Sequence, residues 1–359
     1  MDQSEISLLR LASQQLLETD FSRPKDIVYW MGAIQAQDYP MAKWAIGARL
    51  PGLTDQAVET AIANADIIRT HLLRPTWHFV APEDVYWMLD LTAPQISAAQ
   101  SYREIQLELT EEVFTKSNTA IEKALRDGMH LTREQLISVL HQVGIATDEN
   151  RASHLFARAE LEKIICSGAT SGSKTTYALL SERVPKANHL TKDEALAQLA
   201  RRYFTSRGPA TLQDFSWWSG LPAREANKGL ELVKSEFDRV QIDGRVYWLT
   251  LGLSHVHDGK DRTYLLPTYD EFIISYADRR ASITVDLVEY MKQISDRGVF
   301  RPIVVVAGQV VGIWKRTLRN NAIRIEIQPF MNLDPSSKDR IVEAATRYGT
   351  FMGKEIELY

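Results

Sequence analysis

Residues 210–250 read ATLQDFSWWSGLPAREANKGLELVKSEFDRVQIDGRVYWLT. Thr211 is placed to cap a helix that ends at Gly220. A short turn follows with Pro222 in a first-turn position, and a second helix starts there. Beyond it, FDRVQI and RVYWLT flank Asp243-Gly244, a pair that supplies the two positive φ angles of a tight hairpin. The stretch before it, EALAQLARRYFTSRG (194–208), has apolar residues at helical spacing. Residues 187–252 therefore read as three helices closed by a two-stranded hairpin.

The same order of elements recurs upstream without any fixed sequence period. Residues 1–95 give SEISLLRLASQQLL, KDIVYWMGAIQAQ and TDQAVETAIANA as helical stretches, then IIRTHLLRPTWHFVAP as strands, with Pro75 at an edge or bend. Residues 96–186 give a long helical stretch, then LTREQLISVLHQVG with Thr132 as N-cap and Gln135 completing a capping box. NRASHLFARAELEKIICSG follows as a helix stopped by Gly168, then SGSKTTYALL as a loop and strand. From about Leu251 the pattern changes. YLLPTYDEFIISY, RPIVVVAGQVVGIWKR and AIRIEIQPF are strand-like runs, and a last helix covers SSKDRIVEAATRYGTFMG. The expected fold is mainly α with β (α+β): three tandem winged-helix modules at 1–95, 96–186 and 187–252, then a β-rich, barrel-like module at 253–359.

Composition narrows the class. A chain of 359 residues is long enough for about two to four cores. Its 45% hydrophobic and 25% charged content is that of a globular protein, without an apolar run long enough for a membrane span. The N-terminus has none of the basic start, apolar run and cleavage site of an export signal, so a cytoplasmic location is expected. The single Cys166 excludes an intrachain disulfide and thiolate clusters. No metal and no cofactor are expected, because the eight histidines show no ligand spacing and GATSGSK (168–174) lacks the Walker pattern.

A formal charge of −4 weighs against nucleic-acid binding, whose affinity rests largely on neutralised phosphates. Yet Arg201, Arg202, Arg207, Lys315, Arg316, Arg319 and Arg324 gather in sequence while acids concentrate elsewhere.

Several segments, in one order over nearly the whole chain, carry a specific resemblance: IQAQDYPMAKWAIGARL (34–50), RTHLLRPTWHFV (69–80) with EDVYWML after it, GPATLQDFSWWSGL (208–221), LLPTYDEFIISYADR (265–279) and VVVAGQVVGIWKR (304–316). The chain resembles the HTH_42 or DUF1006 winged-helix family, which includes the bacterial AlkZ- and YcaQ-like DNA glycosylases. That resemblance implies three tandem winged helices and a C-terminal β-barrel forming a clamp around DNA. It also implies a monofunctional glycosylase that removes alkylated purines, N7-linked interstrand crosslinks included, from double-stranded DNA. Family members use a Gln-hydrophobic-Gln or Gln-hydrophobic-Asp motif. Here it stands as Gln35-Ala36-Gln37, so the resemblance is to the AlkZ branch, and Gln35 and Gln37 become the candidate catalytic pair.

Two glutamines suit that chemistry. An N7-alkylated guanine is already cationic and leaves without being protonated, so orientation of a water and electrostatic support of the sugar suffice. Each amide offers an acceptor and two donors. On a regular helix, residues two apart diverge by about 200°, so the motif should lie at a helix end or in an extended turn. Asp38 either assists or caps the helix that begins near Met41. Arg69, His71, Arg74 and His78 are candidate DNA contacts, of which an alternating strand would turn about half inward. Arg201, Arg202, Lys315 and Arg316 are further candidates. Trp217 and Trp218 read as packing residues, and the adjacent Asp270 and Glu271 as structural acids, one of which could reach the cleft. A monomer is expected. The rival reading, a winged-helix DNA binder without catalysis, shares every feature except a need for Gln35 and Gln37.

Overall fold

Thr132 starts the helix Arg133–Gln142 by accepting the Gln135 N–H on its hydroxyl (3.4 Å), while the Gln135 amide oxygen accepts the Thr132 N–H (2.8 Å). This is the reciprocal cap that LTREQ implies. The helix Glu111–Leu125 precedes it and Arg151–Leu161 follows. The short strand Leu131–Thr132 pairs with Thr176–Leu179, which pairs in turn with Ile165–Ser167. Helix, strand, helix, helix and two strands thus enclose one core of Phe114, Ile121, Leu136, Leu140, Leu155 and Phe156, with Phe156 stacked on Tyr177 at 5.0 Å. The helix expected to run to Gly168 stops at Leu161. Lys163 turns the chain at φ +62, and the apolar run that follows is short and wholly buried, which suits a strand.

The computed structural model describes residues 2–186, 189–253, 261–283 and 287–359; the module boundary expected at residue 187 lies outside them. These residues pack into two compact units, Glu59–Ala195 on the one hand and Met1–Val58 with Leu196–Tyr359 on the other. Besides the elements above, the first unit holds the antiparallel hairpin Ile68–Leu72 and Thr76–Val80, turned at Leu73 (φ +59) and Pro75, and the long helix Pro82–Gln106. The thiol of Cys166 is buried there, and burial pushes it up to about 12 against the pull of Arg183, so it behaves as a small apolar side chain.

In the second unit Thr211 caps Leu212–Ser219, Gly220 closes that helix at φ +69, and Ala223–Val233 follows. The strands Phe237–Ile242 and Arg245–Thr250 pair across Asp243 (φ +50) and Gly244 (φ +75), the hairpin that DG dictates. The C-terminal part is a curled five-stranded sheet in the order 355–358, 322–329, 309–318, 303–306, 263–266. Its pairs are antiparallel except the last strand, Glu355–Leu358, which runs parallel to Ala322–Pro329 after the crossover helix Pro335–Met352. YLLPTYDEFIISY is not one strand: Thr263–Leu266 ends it, and Asp270 caps a single helical turn, Glu271–Ile274, by accepting the Phe272 N–H (2.8 Å). Among the described residues no helix is long and apolar enough to cross a membrane.

Thr132→Ala should lower stability by about 1 kcal/mol through loss of the cap, whereas Thr132→Ser should stay near wild type. Denaturant unfolding of the three proteins compares them directly.

Candidate active site

Gly32, at φ +69, ends the helix Pro24–Met31, so the chain that reads as one helix through GAIQAQ leaves it as the strand Ala33–Gln35. A non-glycine residue seldom adopts that backbone conformation. Three residues later a new helix, Tyr39–Gly47, begins with Asp38 as its N-cap, the carboxylate accepting the Met41 N–H at 3.2 Å. The Gln35-Ala36-Gln37 motif therefore runs from a strand end, Gln35, into the bend that precedes the helix cap, outside regular helix. Gln35 is buried and Gln37 is exposed. The capping role of Asp38 is the one that the geometry displays, and the helix starts at Tyr39, two residues earlier than Met41.

What fixes this segment is a buried ion pair. Arg207 and Glu271 are both fully buried, with a guanidinium nitrogen 2.8 Å from Glu271 Oε2. The second guanidinium nitrogen donates to Met31 O (2.6 Å), and the first also to Ala33 O (2.7 Å), so one side chain holds the carbonyls on both sides of Gly32. Glu271 reaches the motif itself: its Oε1 accepts the Gln35 backbone N–H at 2.8 Å. Its Oε2 also accepts from the Trp218 indole (3.0 Å) and from the Ser275 hydroxyl (2.5 Å). Burial opposes ionisation of Glu271, but the Arg207 charge and the Ser275, Arg207 and Gln35 hydrogen bonds outweigh it and hold the carboxyl at about 2.

The neighbouring acid is secured separately. Asp270 takes two hydrogen bonds from the buried Arg49 (2.8 and 3.0 Å), which also donates to Gln14 and Ala45 O. The two carboxylates sit at the start of a helical turn, not on a strand, and both are buried. On the far side of the motif, Trp44 fastens its helix to the sheet through an indole bond to Leu265 O (2.6 Å) and an edge contact with Tyr348 at 5.1 Å. Gly47 on that helix leaves no room for a methyl group against Phe351.

With this geometry in view, comparison with known proteins gives one consistent result. The family model described as "DNA glycosylase AlkZ-like" matches residues 28–351. The chain belongs to the AlkZ-like DNA glycosylase family. It is 24% identical over 312 residues to the Interstrand DNA cross-link repair glycosylase of Streptomyces sahachiroi, covering 81% of each chain. The solved structure of Streptomyces sahachiroi DNA glycosylase AlkZ superimposes with a TM-score of 0.79 over 100% of both chains at 19% identity, which establishes a shared fold.

The other candidate residues fall into distinct settings. In the unit 59–195, the whole strand Ile68–Leu72 is buried, not half of it. Arg69 lies over the Trp77 ring at 4.5 Å, and His71 bonds through Nδ1 to the buried Glu160, which also accepts the Trp77 indole N–H at 3.3 Å. His78 is fully buried, with Nδ1 3.0 Å from Thr76 O, and Arg74 is half-buried at the hairpin turn. In the other unit, Arg201 pairs with Glu236 (2.6 Å), and Arg202 covers the Tyr29 ring at 3.4 Å while bonding its carbonyl. Lys315 is exposed; Arg316 bonds the Tyr348 hydroxyl. Arg207 is no surface cation at all. Sequence reasoning overlooked its tie to Glu271 because the two residues are far apart in the chain. Among the described residues no group of three His, Cys, Asp or Glu could hold a metal.

Glu271→Gln leaves Arg207 buried without its counter-charge and should cost roughly 3–5 kcal/mol near pH 7. The folded carboxyl sits at about 2, below its ordinary value of 4.5. Its contribution is therefore complete above about 4.5 and disappears as pH falls through about 2. Unfolding midpoints of wild type and variant should converge over that window.

Proposed function

We propose that the protein hydrolyses the N-glycosidic bond of cationic N7-alkylated purines in double-stranded DNA, including purines crosslinked between strands through N7, with Gln35 and Gln37 as the catalytic pair. The observation that carries this reading is the anchoring of the Gln35 backbone by buried Glu271, at a strand end outside regular helix, within a chain of the AlkZ-like glycosylase family. The name of the Streptomyces sahachiroi relative, a cross-link repair glycosylase, supports the extension to crosslinks.

In this scheme the leaving base carries its own positive charge, so no general acid is needed. One amide orients water toward C1′ while the other supports the sugar or the adjacent phosphate as oxocarbenium character develops. A glutamine cannot remove a proton as a strong base near neutral pH. Rate enhancement then comes from position and preorganised dipoles, which matches the effort the fold spends on fixing the Gln35 backbone. Neutral and undamaged bases should be cleaved poorly. The scaffold in this reading is three winged helices, at 1–95, 96–186 and 187–252, with a barrel-like module at 253–359, working as a monomer in the cytoplasm. The helix, strand, helix, helix and hairpin order within 111–179 supports the winged-helix description of the second module. Arg74, Arg201, Arg202, Lys315 and Arg316 remain candidate DNA contacts, whereas burial of Arg69, His71 and His78 argues against that role for them.

Duplexes carrying N7-methylguanine or a nitrogen-mustard crosslink, assayed for abasic sites, test the reading. Gln35→Ala with Gln37→Ala should lower single-turnover excision by at least about a hundredfold, the scale of losing preorganised polar groups, and leave DNA binding within a few fold. Absence of abasic sites from folded wild-type protein on both substrates would overturn it in favour of a binder without catalysis.

A further inference from the structure

Trp217 and Trp218 are adjacent on the helix Leu212–Ser219, yet only Trp218 is a core residue. It is fully buried against Arg207 and Glu271, whereas Trp217 is 46% exposed. Its indole N–H is used inward, donating to Ile274 O at 3.0 Å, so the ring presents π surface to its outer side. Beside it the Arg279 guanidinium lies 5.6 Å from the Trp217 ring centre and 5.2 Å from that of Phe300, with Nε held on Ile273 O at 3.0 Å. Phe300 meets Tyr269 at 6.3 Å, and Tyr269 sits at φ +58, a backbone conformation uncommon for a tyrosine. Trp217, Arg279, Phe300 and Tyr269 thus form one continuous aromatic and cationic row.

Three of the four members are tied to the turn that also holds the motif, or adjoin it. Ile274 and Ile273 supply the carbonyls that orient Trp217 and Arg279, Tyr269 immediately precedes the capping Asp270, and Glu271 accepts the Gln35 N–H. Burial raises the Tyr269 hydroxyl, and the charge of Asp38 adds to that shift, so Tyr269 lies within electrostatic reach of the motif loop. Next to the row, Arg245 and Arg280 both pair with the carboxylate of Asp278.

We propose that Trp217, Arg279, Phe300 and Tyr269 form a stacking surface for an unstacked nucleobase next to the damaged nucleotide, with Arg279 serving the adjoining phosphate. The proposal rests on the glycosylase reading for the identity of its ligand. When a base is drawn out of a duplex or removed from it, its neighbours lose a stacking partner. Aromatic faces replace that contact for any base, because every base has a π face, and a guanidinium beside them matches the backbone charge. The row suits an uncharged base better than the cationic lesion, which Arg279 would repel.

Intrinsic tryptophan fluorescence of the full chain tests this with two duplexes, one fully paired and one carrying a single tetrahydrofuran abasic analogue. Wild type should be quenched more strongly by the gapped duplex, and Trp217→Phe should remove that difference, since the other tryptophans are unchanged. Trp217→Ala and Arg279→Gln should weaken affinity for the gapped duplex about tenfold, within the range for losing one stacked base, and affinity for the paired duplex less than twofold. Equal quenching in wild type and Trp217→Phe, or folded variants that bind both duplexes as wild type does, would overturn the proposal. Neither readout needs turnover: wild type that shows the difference but releases no base would defeat the glycosylase reading alone, and an excising enzyme without the difference would defeat this surface alone.

Discussion

The buried pair of Arg207 and Glu271 is the interaction on which the candidate site depends. A guanidinium can satisfy two main-chain carbonyls and a carboxylate at once because its donors form a fixed planar fork. Here that fork holds Met31 O and Ala33 O, on both sides of the left-handed Gly32, while its counter-ion takes the Gln35 N–H, two residues beyond Ala33. A lysine has one nitrogen and could not hold these three positions together. Two charges withdrawn from water seldom stabilise a fold more than an apolar pair of the same size would. Their value in this protein is that only one path of the chain through residues 31–35 satisfies them.

The acids at 270 and 271 divide the labour of organising that region. Although adjacent, each meets its own buried arginine, Asp270 pairing with Arg49 and Glu271 with Arg207. The turn they begin is pinned in rotation as well as in position. From its carbonyls and its first residues hang the motif strand and two members of the aromatic row, so small groups separated widely in sequence share one rigid support. Trp44 and the tight packing of Gly47 on Phe351 then hold the helix that leaves the motif.

Local chemistry was legible in the sequence where a residue acts on its near neighbours. The Thr132–Gln135 box, the Thr211 cap, the Asp243-Gly244 hairpin and the last helix all follow from interactions within a few positions. The resemblance, spread over the chain, pointed to the family that the comparisons establish. What was not legible depended on distant partners. KDIVYWMGAIQAQ has helical spacing throughout, and only a left-handed Gly32 locked by Arg207 breaks it. YLLPTYDEF looks like a strand until Arg49 and Arg207 claim its acids. The closing strand Glu355–Leu358 is half polar and short, and it exists because Ala322–Pro329 offers it an edge. Trp217 and Trp218 are indistinguishable by type, and the side of one helix separates a core ring from an outward one.

Glu271 holds position 35 through the peptide N–H and leaves the side chain out of the bond. That one bond therefore asks only for a residue that has a peptide N–H. Location and identity are separable at this anchor: the main chain is held through a group that nearly every residue carries, and the amide can be exchanged for another of similar size without removing that bond. Such an arrangement lets a lineage, or a protein engineer, change the chemistry offered at this point while inheriting its geometry intact.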